Sequence, residues 1–434
     1  MFGYYLDLAV RGLKRNRMLT ALMVLAIALG IGASMTTLTV LHVLSGDPLP
    51  GRSASIYYPQ LDPRDMSSYV PNMEPPEQVS WIDGMNLLNA KRATRQALMT
   101  GGMVPLQPSQ SSIDPFRAMA LFTTGDFFPM FAVPLKYGNT WGNAEDEGKA
   151  RVVVISSPLN DKLFGGKNSV GEILRLQGTA FRIIGVLGNW HPNPHFYDPY
   201  MGDYASDEDI YIPLSTSRAT HMDHDGSVDC WGNGNGGGDQ LEHSQCTWLQ
   251  FWVQLDNPSS VADYKAFLDH YSQDQHTLGR FERPPNVRLR SMMQWLDYRK
   301  VVPYDARLQT WLALGFLIVC LINTVGLMLA KFMRRASELG VRRALGASRR
   351  ALFAQLLIEA GAVGFAGGIL GLALALFGLW CVRQQPAEYA ELAYMDTSML
   401  LATLVLAIVA SLLAGVLPAW RACHIPPALQ LKAN

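Results

Sequence analysis

The chain carries no net charge: 36 lysines and arginines balance 36 aspartates and glutamates over 434 residues. Bulk charge therefore gives no basis for nucleic-acid binding. Charge is also missing locally, since residues 18–44, 308–330, 360–382 and 397–420 contain no Asp, Glu, Lys or Arg. Each run exceeds the roughly 20 residues that a helix needs to cross a hydrocarbon core of about 30 Å, and a soluble core has no need of four such runs. Catalytic signatures are missing too. There is no G-x-S-x-G elbow, no H-E-x-x-H and no nucleophile with a base at a recognisable spacing. Three stretches imitate nucleotide-binding loops and fail. GNAEDEGKA (142–150) ends in Ala and precedes a strand, GDPLPGRS (46–53) has Arg for Lys and two prolines, and GNGNGG (232–237) opens no helix. No catalytic site and no metal or cofactor site is expected in this chain.

Basic residues are distributed unevenly around the apolar runs. Arg11, Lys14, Arg15 and Arg17 precede the first, and Lys331, Arg334, Arg335, Arg342, Arg343, Arg349 and Arg350 follow the second. Residues 383–396 hold only Arg383 beside Glu388, Glu391 and Asp396, while the tail holds Arg421 and Lys432. Positive charge marks the cytoplasmic side. Both termini and the arginine-rich segment are thus expected inside, and residues 45–307 and 383–396 outside. The first run is too long for a signal peptide and is closed by no small-residue cleavage site. The expected order is a cytoplasmic segment at 1–17, spans at 18–44, 308–330, 351–382 and 397–420, a coupling segment at 331–350, an outside hairpin at 383–396 and a tail at 421–434. In the first segment Phe2, Leu6, Ala9, Val10 and Leu13 recur at helical spacing. It is either an amphipathic helix on the membrane surface or an extension of the first span.

The outside region mixes strands and helices, which indicates an α+β domain. Residues 46–76 read as irregular and Pro-rich, and EQVSWIDGMNLLNA reads as a helix. RVVVIS (151–156), DIYIPL and WLQFWVQL read as strands. PLNDKLFGG reads as a helix ended by Gly165, and EILRLQGTAFRIIGVL as two strands turning at Gln177-Gly178. SSVADYKAFLDHYSQ reads as a Ser-capped helix with Val261, Phe267, Leu268 and Tyr271 on one face. A loop-rich insertion at about 190–245 holds His191, His195, His221, His224 and His243 with Asp198, Asp223 and Asp225. Imidazoles and carboxylates can bind metals, but no ligand spacing is present, and the Gly, Asn, Ser and Pro neighbours suggest a solvated loop. Cys230 and Cys246 fall outside the membrane, where they either pair or remain free thiols.

The segment RRASELGVRRALGASRRALFAQLLIEA (334–360) is more shaped than a topology signal requires. As a helix it would expose Glu338, Arg342 and Arg349 and pack Ala336, Leu339, Leu345 and Leu352. Gly346-Ala347-Ser348 would interrupt it, with Ser348 capping the next helix. Glu359 lies at the edge of the third span and is expected to act at a helix interface rather than as a proton relay. Gly361, Gly364, Gly367, Gly368 and Gly371 offer close packing, either within the subunit, which we favour, or at a dimer seam.

This segment resembles the signature of MacB/FtsX-type ABC transporter permeases, approximately E-[IL]-G-[IV]-R-[KR]-A-[LM]-G-A-[ST] before a Gly-rich third span. It stands here at Glu338 to Ser348, followed by GAVGFAGGILGLALAL. LPAWRACHIPPALQLK is similar to the family's ending, and VVVISSPLNDKLFGGKNSVGEILRLQGTAFRIIGVL to its extracytoplasmic core domain. The resemblance implies a bacterial inner-membrane, multi-pass protein of four transmembrane helices with a large periplasmic α+β domain between the first two. It implies a non-catalytic subunit that dimerises with a second copy or a paralogue. A cytosolic ABC ATPase dimer on a separate chain would bind ATP and Mg, and Glu338, Gly340, Arg342, Arg343, Gly346, Ser348 and Arg349 would couple to it. Export or efflux with a periplasmic adaptor and outer-membrane channel is the favoured role. The alternatives are an FtsX-like regulator of a cell-wall hydrolase, a lipoprotein-release or peptide-sensing member, and a stand-alone receptor.

Overall fold

The computed structural model describes residues 16–108, 113–198, 200–205, 207–231, 240–386 and 388–424. The expected surface segment at 1–17, the GNGNGG run and the tail lie largely or wholly outside the described residues. In chain order the helices are α1 (Arg17–Leu44), α2 (Trp81–Ala90), α3 (Phe127–Phe131), α4 (Asn143–Glu147), α5 (Ser157–Phe164), α6 (Leu214–Ala219), α7 (Pro258–Thr277), α8 (Met292–Arg299), α9 (Tyr304–Met333), α10 (Ala336–Ala344), α11 (Arg349–Val382) and α12 (Thr397–His424). The strands are β1 (Ile56–Gln60), β2 (Val79–Ser80), β3 (Arg95–Gln107), β4 (Phe116–Thr123), β5 (Leu135–Gly138), β6 (Val152–Ile155), β7 (Ile173–Leu176), β8 (Thr179–Leu187), β9 (Ile210–Pro213), β10 (Asp229–Cys230), β11 (Cys246–Gln254) and β12 (Arg288–Ser291). The chain divides into two units, Gly46–Val301 and the helical remainder.

Gly46–Val301 is built on a 12-stranded mixed sheet with central order β12-β1-β11-β3-β4-β9-β6-β8-β5. The pairs β4–β9 and β6–β8 are parallel. Period-two alternation sends neighbouring side chains to opposite faces. Val153 and Ile155 enter one core with Phe122, Ile210 and Phe251, while Val152 and Val154 enter the other with Leu121, Tyr211 and Trp252. Both faces are therefore covered. The β7–β8 hairpin turns on Gln177 and Gly178, both at positive φ (48° and 77°), as a two-residue type I′ loop requires. Ser156 caps α5 by accepting from the Leu159 N–H (3.2 Å), and Gly165 ends it at φ 62°. Cys230 and Cys246 face each other across β10–β11 and are disulfide-bonded.

Several expectations are corrected. Residues 46–76 are not wholly irregular, because β1 lies within them. Helix α7 is capped by Asn257, which accepts from the Ser260 N–H at 2.8 Å, and not by a serine. Strand β3 contains Gly101-Gly102 and Pro105, residues that normally argue against a strand. The glycines are needed for close approach: a Cβ on Gly101 would meet Asp198 Oδ2 at 2.6 Å, and one on Gly102 the Phe122 ring at 2.4 Å. The solvated-loop reading fails at His195, which is 2% exposed. Its Nε2 lies 3.2 Å from Glu208 Oε1 in a buried ion pair, and the Tyr197 hydroxyl donates to Glu208 Oε2 at 2.6 Å. Among the described residues no three His, Cys, Asp or Glu side chains gather as a metal-ligand set.

The other unit holds four helices long and apolar enough to cross a membrane: α1, α9, α11 and α12. They close into a ring, with α1 packed on α9 and α11, and α12 packed on α11 and α9. Leu22, Phe316, Ile369 and Leu413 point outward, where a bilayer would cover them. On α11, a Cβ on Gly364 would meet Ser411 Cβ at 2.3 Å, and one on Gly368 would meet Ala407 Cβ at 2.8 Å. On Gly367 it would meet Ile27 at 2.7 Å, and on Gly371 Ile31 at 3.0 Å. All four glycines thus face helices of the same subunit.

Gly364→Leu should destabilise the helical unit by about 1–3 kcal/mol through overpacking against α12, read as a lower unfolding temperature in detergent. For His195, burial lowers the pKa, but Glu208 outweighs it, with Asp198 and Asp207 adding, and the value rises to about 9. A raised folded pKa gives a contribution that is complete below the unfolded value of about 6.5 and is lost as pH climbs through about 9. His195→Gln should therefore remove the part of the alkaline loss of stability centred near pH 9. By leaving Glu208 buried and unpaired it should also cost roughly 3–5 kcal/mol at pH 7. Thermal unfolding of the full chain across pH 6–10 measures both.

Candidate coupling site

The arginine-rich segment folds as a short helix, a turn and a cap. Helix α10 ends at Ala344. Gly346 then adopts φ +99°, a left-handed conformation in which an L side chain is strained. No neighbour lies within 4 Å of a Cβ placed there, so backbone geometry alone selects glycine. The Gly346 N–H donates to Arg343 O (3.1 Å) and the Ala347 N–H to Arg342 O (3.0 Å), which satisfies the helix end. Ser348 Oγ accepts from the Ala351 N–H at 3.2 Å and starts α11.

One side of α10 is fastened to the spanning helices. Leu339 and Leu352 are buried in one cluster with Phe332 and Leu356, and Gly340 is also buried. Arg342 Nη1 donates to Gln355 Oε1 on α11 at 3.0 Å. Arg343 Nη1 donates to the Cys423 carbonyl at the end of α12 at 3.2 Å, where a cation also complements the helix dipole. Arg349 is exposed, whereas Glu338 and Arg342 are half-buried rather than exposed as the spacing suggests. Leu345, expected to pack, is 83% exposed, and Val341 is 46% exposed.

Beneath this helix lies a cluster whose members the sequence analysis does not connect. Glu359 on α11 is 3% exposed. Lys331 Nζ on α9 sits 2.7 Å from Glu359 Oε1, and Arg335 Nη1, just past α9, sits 3.2 Å from each carboxylate oxygen. Lys331 Nζ also donates to Thr20 Oγ1 on α1 at 3.3 Å. The expected interface role of Glu359 thus takes the form of a buried three-charge cluster that joins three spanning helices. The only sequence signal for it is a glutamate at the edge of an apolar run that follows basic residues.

Breaking a buried ion pair leaves an uncompensated charge. Glu359→Gln should therefore lower the stability of the helical unit by roughly 3–5 kcal/mol. The double replacement Lys331→Met with Glu359→Met should cost less, because the most deeply buried cation leaves with the carboxylate and only the partly exposed Arg335 keeps its charge. Unfolding in detergent compares the two, and equal losses would contradict the pairing.

Comparison with known proteins matches residues 20–271 to the MacB-like periplasmic core domain and residues 311–427 to the FtsX-like permease C-terminal region. The macrolide export ATP-binding/permease protein MacB of Salmonella paratyphi A is 25% identical over 256 residues, covering 58% of this chain and 34% of that protein. The pyoverdine export ATP-binding/permease protein PvdT of Pseudomonas putida is 23% identical over 321 residues, covering 71% of this chain and 42% of that protein. The chain thus spans less than half the length of these relatives. The crystal structure of the periplasmic region of MacB from Actinobacillus actinomycetemcomitans aligns over 58% of this chain and 95% of that one, at 13% identity and a TM-score of 0.37.

Proposed function

The chain belongs to the ABC-transporter permease family marked by a MacB-like periplasmic core domain and an FtsX-like permease C-terminal region, and from that premise we propose that it is a non-catalytic subunit that passes the movement of a partner ATPase to its periplasmic domain. The observation that carries this reading is the two-sided character of α10. Its inner side is tied to α11 and α12 by Leu339, Arg342 and Arg343, while Val341 and Leu345 stand in the open near Arg349. An exposed leucine at the end of an anchored helix suits a protein partner better than a purely topological role, which needs only charge.

In this reading residues 331–350 face the cytoplasm, as do both termini, and dock on a cytosolic ABC ATPase that binds ATP and Mg. A push on α10 reaches α11 through Arg342 and Gln355, and reaches α9 and α1 through the Lys331–Glu359–Arg335 cluster. Helices α1 and α9 are the two through which the chain enters and leaves the periplasmic unit, so their displacement is what that unit receives. The subunit works with a second copy or a paralogue. Export is the favoured outcome, as the names of the MacB and PvdT relatives suggest, and in this reading a periplasmic adaptor and an outer-membrane channel complete the route.

The test is co-purification of the full chain with its ATPase, followed by ATPase activity in nanodiscs. Leu345→Glu and Glu338→Lys should each weaken capture or stimulation by about tenfold or more while leaving membrane insertion intact. Arg350→Ala should change little, since an exposed charge contributes under about 1 kcal/mol. Normal capture and normal stimulation in both Leu345→Glu and Glu338→Lys would reduce the segment to a topology signal.

A further inference from the structure

The periplasmic unit contains an open cavity of about 550 Å³ that the coupling reading leaves unused. This falls within the range of small-molecule sites. One wall is apolar, formed by Trp81, Met85 and Leu88 of α2 with Leu214 of α6. The lining also carries Asp126 and Asp146, and the latter belongs to the GNAEDEGKA stretch, which fails as a phosphate loop. Here that stretch builds a cavity wall. Asp146 is held in place because its Oδ2 accepts from the Gly125 N–H at 2.8 Å and its carbonyl accepts from the Ser215 hydroxyl.

The polar groups are not balanced among themselves. Burial raises Asp146 to about 6, opposed by its hydrogen bond with the Gly125 N–H and aided by the charge on Asp126. Two carboxylates therefore repel across the site. Gln96, 5% exposed, also lines it. Its Nε2 donates to Leu88 O at 2.8 Å, but its Oε1 has no hydrogen-bond partner among the described residues. Two carboxylates in a partly apolar cavity favour a donor that carries positive charge. Arg218 cannot serve, because it pairs with Glu242 at 2.9 Å and lies over the Trp248 ring. The remaining lining cations, Lys91 and Lys149, are exposed and are free to meet an anionic group at the rim.

We propose that this cavity binds an amphipathic zwitterion of about tripeptide size. Its ammonium lies against Asp126 and Asp146, its apolar body against Trp81, Met85, Leu88 and Leu214, and its carboxylate reaches Lys91 or Lys149. The binding does not depend on ATPase coupling, so either reading can fail alone.

Isothermal titration of the full chain in nanodiscs with tri-leucine tests it. Saturable binding is expected. N-acetylation of the peptide should weaken it about tenfold or more, because a charge-assisted hydrogen bond is lost, and C-terminal amidation should weaken it by a smaller factor. Met85→Trp, which fills the apolar side, should abolish binding, and Asp146→Asn should mimic N-acetylation. The peptide arms use unaltered protein, so they decide the matter even where a variant folds poorly. Absence of tri-leucine binding, equal binding of the doubly blocked peptide, or unchanged binding to a folded Met85→Trp chain would overturn the proposal.

Discussion

Apolar side chains in hydrocarbon gain nothing by meeting one another instead of lipid, so a spanning bundle is held by close fit and by a few polar contacts. Helix α11 supplies the fit. Gly364 and Gly368 are four residues apart and admit Ser411 and Ala407 of α12, while Gly367 and Gly371, offset by three, admit Ile27 and Ile31 of α1. Spacings of four and three place these pairs on adjacent faces of one helix. One glycine-rich stretch therefore seats two neighbours at once. The Ser411 hydroxyl, which donates to the Ala360 carbonyl, adds a polar contact at the same seam.

Polar contacts do comparable work between α1 and α9. Ser34 Oγ donates to Ala313 O at 3.0 Å, Thr310 Oγ1 to Thr37 O at 3.4 Å, and Lys331 Nζ to Thr20 Oγ1 at 3.3 Å. These three links run along an antiparallel pair and leave little freedom for one helix to slide on the other. The buried Lys331–Glu359–Arg335 cluster closes the same end. Lys331 and Glu359 are removed from water and Arg335 partly so, and such charges are stable only while they stay in register. The cluster thus sets the relative height of α9 and α11 more sharply than dispersion contacts could. The periplasmic unit uses the same device at Asp62, which pairs with Arg64 and Arg283, and at His195 and Glu208, where a surface-like loop sequence is drawn into the core.

The spans were legible because the signal is one of absence: no charge over the length of a bilayer. The β7–β8 turn and the Ser348 cap were legible because each is decided within four residues. Leu345 was misplaced because it caps the end of α10, just before the turn at Gly346, where it stands in the open. Strand β1 was hidden by Pro59, which lies beyond the β11 register at Ile56 and Tyr57. Strand β3 was hidden by two glycines whose purpose, room for Asp198 and Phe122, is visible only in three dimensions. His195 and Glu359 share this limitation, for their partners are set by tertiary folding and no local pattern announces a buried ion pair.

The connection between the units narrows what any movement of the helices can accomplish. The chain passes between them only twice, after Ser45 and after Val301. Helix α1 ends at Leu44 and α9 begins at Tyr304, so few residues intervene on either side. A long flexible linker would absorb a displacement of the helices, whereas connections of this length transmit much of it. Because α1 and α9 are bonded along their length, the two attachments cannot move independently by much. In the proposed role, what would reach the periplasmic unit is a motion of the pair, and the Lys331–Glu359–Arg335 cluster at the far end of that pair is the place where a force applied at α10 would enter it.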